Sequence, residues 1–275
     1  MPAVDRVPPP ALFAVGAVSL YVGSAAAVGL FDDVGAVGAS QLRSIGAAVV
    51  LCAWRRPWRS AAVHRSWRMV ATFGLALTAM NTLFYLAIDR LPLGTAVAIE
   101  FIGPVAVAAA GSRRPRDLVA LGLAGTGVVL LADVRWAGSP TGVALALGAA
   151  ILWALYIVLG HQVAGAGAGV DGLALATAVG AFALLPVGAV AAAPALGRPA
   201  VLVAGLGVGL LSSVVPYALD QVVLARLGPA PFALLLSLLP ATATGVGLVL
   251  LGQVPTAVEV GGIALVVAGV AARER

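Results

Sequence analysis

Three ionisable residues stand inside stretches of sequence that are otherwise apolar: Arg43, Glu100 and Asp220. Arg43 can hold a carboxylate, because its planar guanidinium donates two parallel hydrogen bonds and keeps its charge. Glu100 can hold an ammonium group, or carry a proton where burial disfavours its charged form. Together they match the two ends of an amino-acid zwitterion; the plain alternative is an Arg43–Glu100 ion pair that locks two helices. Asp220 is a second candidate for carrying a proton. It stands beside Gln221 and three residues after Tyr217, while Asn81 and Tyr85 are four apart and share a helix face. Such polar stripes suit a cavity lining, and equally suit helix-to-helix bonding. Trp153 and Tyr156, three apart, can stack on a substrate or close a gate, or simply pack. His161 reads as a solvated loop histidine, and Asp32, Asp33, Asp89 and Asp133 read as facing water.

The surroundings of these residues set their meaning. The chain has 275 residues, 61% hydrophobic and only 10% charged, with a mean hydropathy of +1.08. A soluble domain carries about 25% charged residues, so a cytosolic enzyme, a disordered chain and a secreted disulfide scaffold are excluded. The 16 basic residues are all arginine and the pI is near 10.3. They fall in short gaps between apolar runs, which is a topology signal rather than a nucleic-acid-binding face. A single cysteine, Cys52, forms no intrachain disulfide, and His64 and His161 are too few for a metal site. There is no phosphate-binding glycine loop, no His-Glu-x-x-His and no Ser/His/Asp set. These absences point away from an enzyme, a bound cofactor or metal, and ATP-driven transport by this chain alone.

A helix needs about 20 apolar residues to cross the hydrocarbon. That window predicts ten spans, at roughly 10–31, 36–54, 69–88, 93–111, 117–133, 140–160, 172–193, 200–222, 229–250 and 256–272. The first is read as an uncleaved helix, although Ser24-Ala25-Ala26-Ala27 superficially resembles a cleavage site. With the N-terminus inside, the inner segments hold Arg6, the Arg55–Arg68 group, Arg113, Arg114, Arg116, Arg226, Arg273 and Arg275. That is 12 of the 16 arginines, against three in outer loops (Arg90, Arg135 and Arg198), and the bias places both termini in the cytoplasm. A charged group facing lipid costs about 2.5–3.5 kcal/mol. Arg43, Glu100 and Asp220 must therefore face the bundle interior.

An internal repeat is visible at an offset of 136 residues, which aligns Arg90-Leu91 with Arg226-Leu227, Pro104 with Pro240 and Gly111 with Gly247. The same offset carries Asn81 to Tyr217 and Tyr85 to Gln221. Two five-span halves, 1–137 and 138–275, must lie in opposite orientations, since five is odd. Inverted repeats with interrupted helices at matching positions are a signature of secondary transporters with a binding site between the halves. Pro104 and Pro240 are accordingly candidate helix-break or gating positions, or plain kinks.

Several segments carry a family resemblance. Gly23-Ser24 through Leu30-Phe31, Gly35-Ala-Val-Gly38, Leu42-Arg43 and Arg56-Pro57 resemble the first helical hairpin of the threonine/homoserine exporter family, in the EamA branch of the drug/metabolite transporters. Met80-Asn-Thr-Leu-Phe-Tyr-Leu-Ala-Ile and Pro92 through Glu100-Phe-Ile-Gly-Pro104 are similar to its most distinctive segment. Trp153 through Gln162 and Val215-Pro-Tyr-Ala-Leu-Asp220 look like segments of its second half. The resemblance implies ten helices as an inverted five-plus-five repeat in the bacterial inner membrane. It also implies export of small amino acids such as threonine or homoserine, with the proton gradient as energy source. The sequence departs from the family in having Leu239-Pro240 where a Glu-Pro pair is common, and Gly252-Gln253 where Gly-Glu is common. Export of another metabolite or drug on the same scaffold is the nearest alternative, and a passive channel or membrane scaffold is one of a different class.

Overall fold

The computed structural model describes residues 7–110, 115–136, 139–227, 235–236 and 238–273. Of the residues singled out above, Arg6, Gly111, Arg113, Arg114, Arg275 and the start of the ninth span (229–234) lie outside this description. So do the side chains of Arg116, Asp133, Arg135, Gln221 and Arg273.

The described chain is all helical, with no strand among the described residues. Helix α1 (Pro9–Val28) leads through a two-residue turn into α2 (Phe31–Arg55). A short 3-10 turn (Pro57–Arg59) and α3 (Ala61–Arg65) connect α2 to α4 (Trp67–Ile88). Next come α5 (Leu93–Glu100), α6 (Ile102–Ala110), α7 (Pro115–Trp136), α8 (Pro140–Gly165) and α9 (Gly169–Ala192). Helix α10 (Pro199–Gly209) runs through a π-helical turn (Leu210–Val214) into α11 (Val215–Leu227), and two further helices, Leu239–Leu251 and Ala257–Arg273, complete the fold. Among the described residues, six segments are long and apolar enough to cross a membrane, and four shorter apolar helices accompany them, at Leu93–Val107, Leu121–Leu131, Leu239–Leu251 and Ala257–Gly269.

Two irregularities shape the interior, and each has a cause in the sequence. The fourth predicted span is broken at Phe101, which separates α5 from α6. Pro104 lacks an N–H, and its ring crowds the carbonyl four residues earlier, which belongs to Glu100. The eighth is widened into a π turn just before Pro216, so the Ser212 carbonyl has no α-helical N–H to accept from at position 216. Gly35 kinks α2 near its start with φ 64 and ψ 170, a conformation open to glycine and costly for other residues.

Packing is close because the contact positions are small. Helix α2 lies along α9 and α10, α4 along α8 and α9, α1 along α11, and α7 along the last helix. At Gly209 a side-chain carbon would fall on the Arg43 carbonyl oxygen, so the backbones of α10 and α2 touch at the level of Arg43. This approach sets the arginine against the π turn.

Candidate functional site

Arg43 projects from the buried face of α2 and is only 3% exposed. Its Nη2 donates to the Ser212 carbonyl at 3.1 Å and its Nε to Ser213 Oγ at 3.2 Å. The proline that removes a backbone donor thus leaves an acceptor that the guanidinium takes. The Arg43 Cζ also sits 5.2 Å from the centroid of the Tyr85 ring, a cation–π contact. Tyr85 is fully buried, held between Phe31 and Phe84, and its hydroxyl has no hydrogen-bond partner among the described residues.

Arg43 opens on a narrow cleft between α2, α4, α9 and the π turn leading into α11. Its lining is polar for a membrane interior: Arg43, Ser44, Thr78, Asn81, Thr177, Ser213 and Tyr217, with Ala47 and Leu77. Three of the residues expected to bind substrate (Arg43, Asn81 and Tyr217) meet in this cleft. Tyr85 joins them through Arg43, one helical turn from Asn81.

Glu100 ends α5 at the break before Phe101 and is buried. It makes no ion pair with Arg43 and no hydrogen bond among the described residues, so the locking pair considered above does not form. It lies near enough to feel the charge of Arg43, and its own charge reaches Tyr21 and Tyr217. Asp220 is partly exposed on α11, and its charge reaches Tyr21, Tyr156 and Tyr217. The two carboxylates and Arg43 therefore share one neighbourhood around Tyr217.

The aromatic residues of α8 part company. Trp153 packs edge-on against Phe101 at 5.0 Å, directly on the α5–α6 break. Tyr156 stacks on Phe73 at 5.0 Å. Pro104 lies just inside α6 and Pro240 in the first turn of Leu239–Leu251. His161 is exposed. Of the acids expected to face water, Asp33 is bonded by Arg198, and Asp89 by Arg90 at 2.8 Å.

Sequence reasoning passed over several polar residues. Ser212 and Ser213 hold Arg43, and their signal was Pro216 four residues on. Gln41 is fully buried, with Nε2 donating to the Ala181 carbonyl at 3.1 Å and Oε1 unpartnered. Glu259 is fully buried too: Oε1 accepts from Thr95 at 2.9 Å, and Oε2 from the Thr256 N–H and hydroxyl at 3.0 Å each. Thr256 and Glu259 have the spacing of a helix capping box, a signature legible in sequence.

The chain is 39% identical over 253 residues to the threonine/homoserine exporter RhtA of Salmonella typhimurium, covering 91% of this chain and 85% of that one. It is 38% identical over 263 residues to the exporter of the same name from Escherichia coli K12, covering 94% and 89%. Residues 140–272 match the EamA-like transporter family. The chain belongs to that family. It is a multi-pass inner-membrane transporter and not an enzyme. A crystal structure of a protein 19% identical aligns over 96% of this EamA-like chain and 95% of its own, with a TM-score of 0.58. That likeness is one of fold alone.

Proposed function

We propose that this transporter exports small hydroxylated amino acids, threonine and homoserine among them, by alternating access coupled to proton antiport. The observation that carries the reading is the cleft itself. A buried guanidinium faces Ser44, Thr78, Asn81, Thr177, Ser213 and Tyr217, which together suit a carboxylate and a hydroxyl side chain. The names of the relatives agree with it. Arg43 holds the substrate carboxylate; Asn81 and Tyr217 line the cleft beside it, Tyr85 lies under the guanidinium, and Trp153 stands at the helix break. Glu100 receives the substrate ammonium or a proton in alternation, and exclusive occupancy of one carboxylate is a simple way to couple two fluxes. Asp220 passes protons toward the inner surface.

The fold we assign has ten crossing segments, α5–α6 and α10–α11 each counting once, arranged as inverted halves 1–137 and 138–275 with both termini inside. The helix contacts support it. Exchanging each span for the one five later maps α4–α8 onto α11–α1, and α4–α9 onto α10–α2. The family match beginning at residue 140 falls at the boundary between the halves. Ion pairs join loops assigned to one side: Arg55 with Asp171 at 2.9 Å inside, and Arg198 with Asp33 outside. The helix break at Pro104 and the helix start at Pro240 are then the moving parts.

The test is counterflow in proteoliposomes loaded with unlabelled threonine. Labelled threonine should accumulate transiently, and competition by homoserine should exceed that by valine. Absence of counterflow from folded protein would contradict the proposal.

A further inference from the structure

The segment joining α2 to α4 carries more charge and more aromatic surface than a connection needs. Between Trp54 and Arg68 lie five arginines, His64 and three tryptophans. The tryptophans are among the most exposed large side chains of the inner end, Trp54 at 55%, Trp58 at 59% and Trp67 at 57%. All five arginines are exposed as well. Arg55 is bonded to Asp171. Arg56, Arg59, Arg65 and Arg68 have no acidic partner among the described residues. Two guanidiniums lie over indole rings, Arg55 over Trp54 at 5.4 Å and Arg68 over Trp67 at 5.6 Å.

The segment is also held in shape. Pro57 and Val63 are buried, at the 3-10 turn and on α3. Arg56 ends α2 in the left-handed conformation with its N–H bonded to the Cys52 carbonyl at 2.9 Å. Ser66 closes α3 by hydrogen-bonding back to Ala62. Two short elements thus turn Pro57 and Val63 inward and their cations and the Trp58 indole outward. Indoles with an apolar body and a polar edge settle at the boundary between hydrocarbon and headgroups. Guanidiniums match phosphate oxygens in pairs. A cluster of four or more arginines directly beside a membrane helix is the footprint of an anionic lipid surface.

We infer that the Trp54–Arg68 segment is a binding site for anionic phospholipid headgroups of the cytoplasmic leaflet. Arg56, Arg59, Arg65 and Arg68 contact the phosphates, and Trp54, Trp58 and Trp67 sit against the upper acyl chains. The Arg55–Asp171 pair links the site to the start of α9, the helix that brings Thr177 to the cleft. The leaflet rests on the orientation proposed above; the headgroup chemistry does not.

The experiment uses the full chain in phosphatidylcholine nanodiscs, which expose both leaflets, with tryptophan fluorescence as the readout. Dibrominated phosphatidylglycerol should quench at a mole fraction several-fold lower than dibrominated phosphatidylcholine. That preference should weaken at high salt. In the variant Arg56→Gln/Arg59→Gln/Arg65→Gln/Arg68→Gln that several-fold preference should disappear, while both lipids still quench. Equal quenching by the two lipids in the native chain would overturn the inference, as would a preference that survives the four substitutions. Orientation is read separately, by labelling Ser60→Cys in a Cys52→Ser background with an impermeant thiol reagent in whole cells. Labelling from outside would overturn the leaflet assignment while leaving the quenching result to decide the site.

Discussion

Two buried glutamates in this molecule have opposite surroundings. Glu259 accepts three hydrogen bonds from Thr95 and Thr256 and fixes the start of the last helix to α5. Two residues before Thr95, the Leu93 N–H donates to Gln253 Oε1 at 2.8 Å, so the N-terminal end of α5 is fastened twice. Glu100 closes the same helix seven residues later, with no hydrogen bond among the described residues, at a break made by Pro104. A carboxylate whose oxygens are occupied serves structure. One without a hydrogen bond, at a helix break and within reach of an arginine's charge, has oxygens free for another partner. Helix α5 is thus anchored by hydrogen bonds at one end and ends on a carboxyl with no hydrogen bond among the described residues at the other.

The largest expected effect lies at the open end. Arg43→Ala should lower threonine counterflow by roughly a hundredfold, the scale of removing one partner of a desolvated charge contact; reconstituted transport rates measure it. Arg43→Lys should recover little, since a point charge cannot span the Ser212 carbonyl, Ser213 Oγ and a carboxylate at once. Transport at native rates in either variant would break the comparison at its functional end.

At the anchored end the effect should appear as stability. Glu259→Ala strands the Thr95 hydroxyl and the Thr256 donors and should cost about 2–4 kcal/mol, read by thermal unfolding in detergent. Gly94→Ala should destabilise the same end, because the added carbon meets Thr244 on the facing helix. Glu100→Gln should change unfolding by under about 1 kcal/mol, since no native hydrogen bond is lost. A Glu100→Gln loss as large as that of Glu259→Ala would erase the distinction.

The smallest effect concerns Tyr85. Its hydroxyl is buried without a partner among the described residues, so Tyr85→Phe should leave stability unchanged or raise it by about 1 kcal/mol, because the ring under Arg43 stays. A marked loss of stability would reveal a partner for that hydroxyl.

Much of this arrangement was legible in the residues. Apolar windows located the helices, and charges inside them located Arg43, Glu100 and Asp220. Pro104 announced the break beside Glu100. The rest required neighbours distant in sequence. Arg43 is bonded to residues 169 and 170 positions away, and only the contact of Gly209 with α2 brings them together. Trp153 and Tyr156 looked like a pair by spacing, yet their rings are claimed by Phe101 and Phe73 on different helices. Gln253 looked like a lost carboxylate and proves to cap α5, a role its amide oxygen fills. Glu259 was readable as a helix cap, but its bond to Thr95 spans 164 residues.

The most direct test of the account is threonine counterflow at two pH values for the native chain, Glu100→Gln and Glu259→Gln, side by side. The native chain and Glu259→Gln should respond to pH alike, and Glu100→Gln should give the same rate at both values. A pH response that persists in Glu100→Gln, or vanishes only in Glu259→Gln, would contradict the assignment of Glu100 as the exchange site.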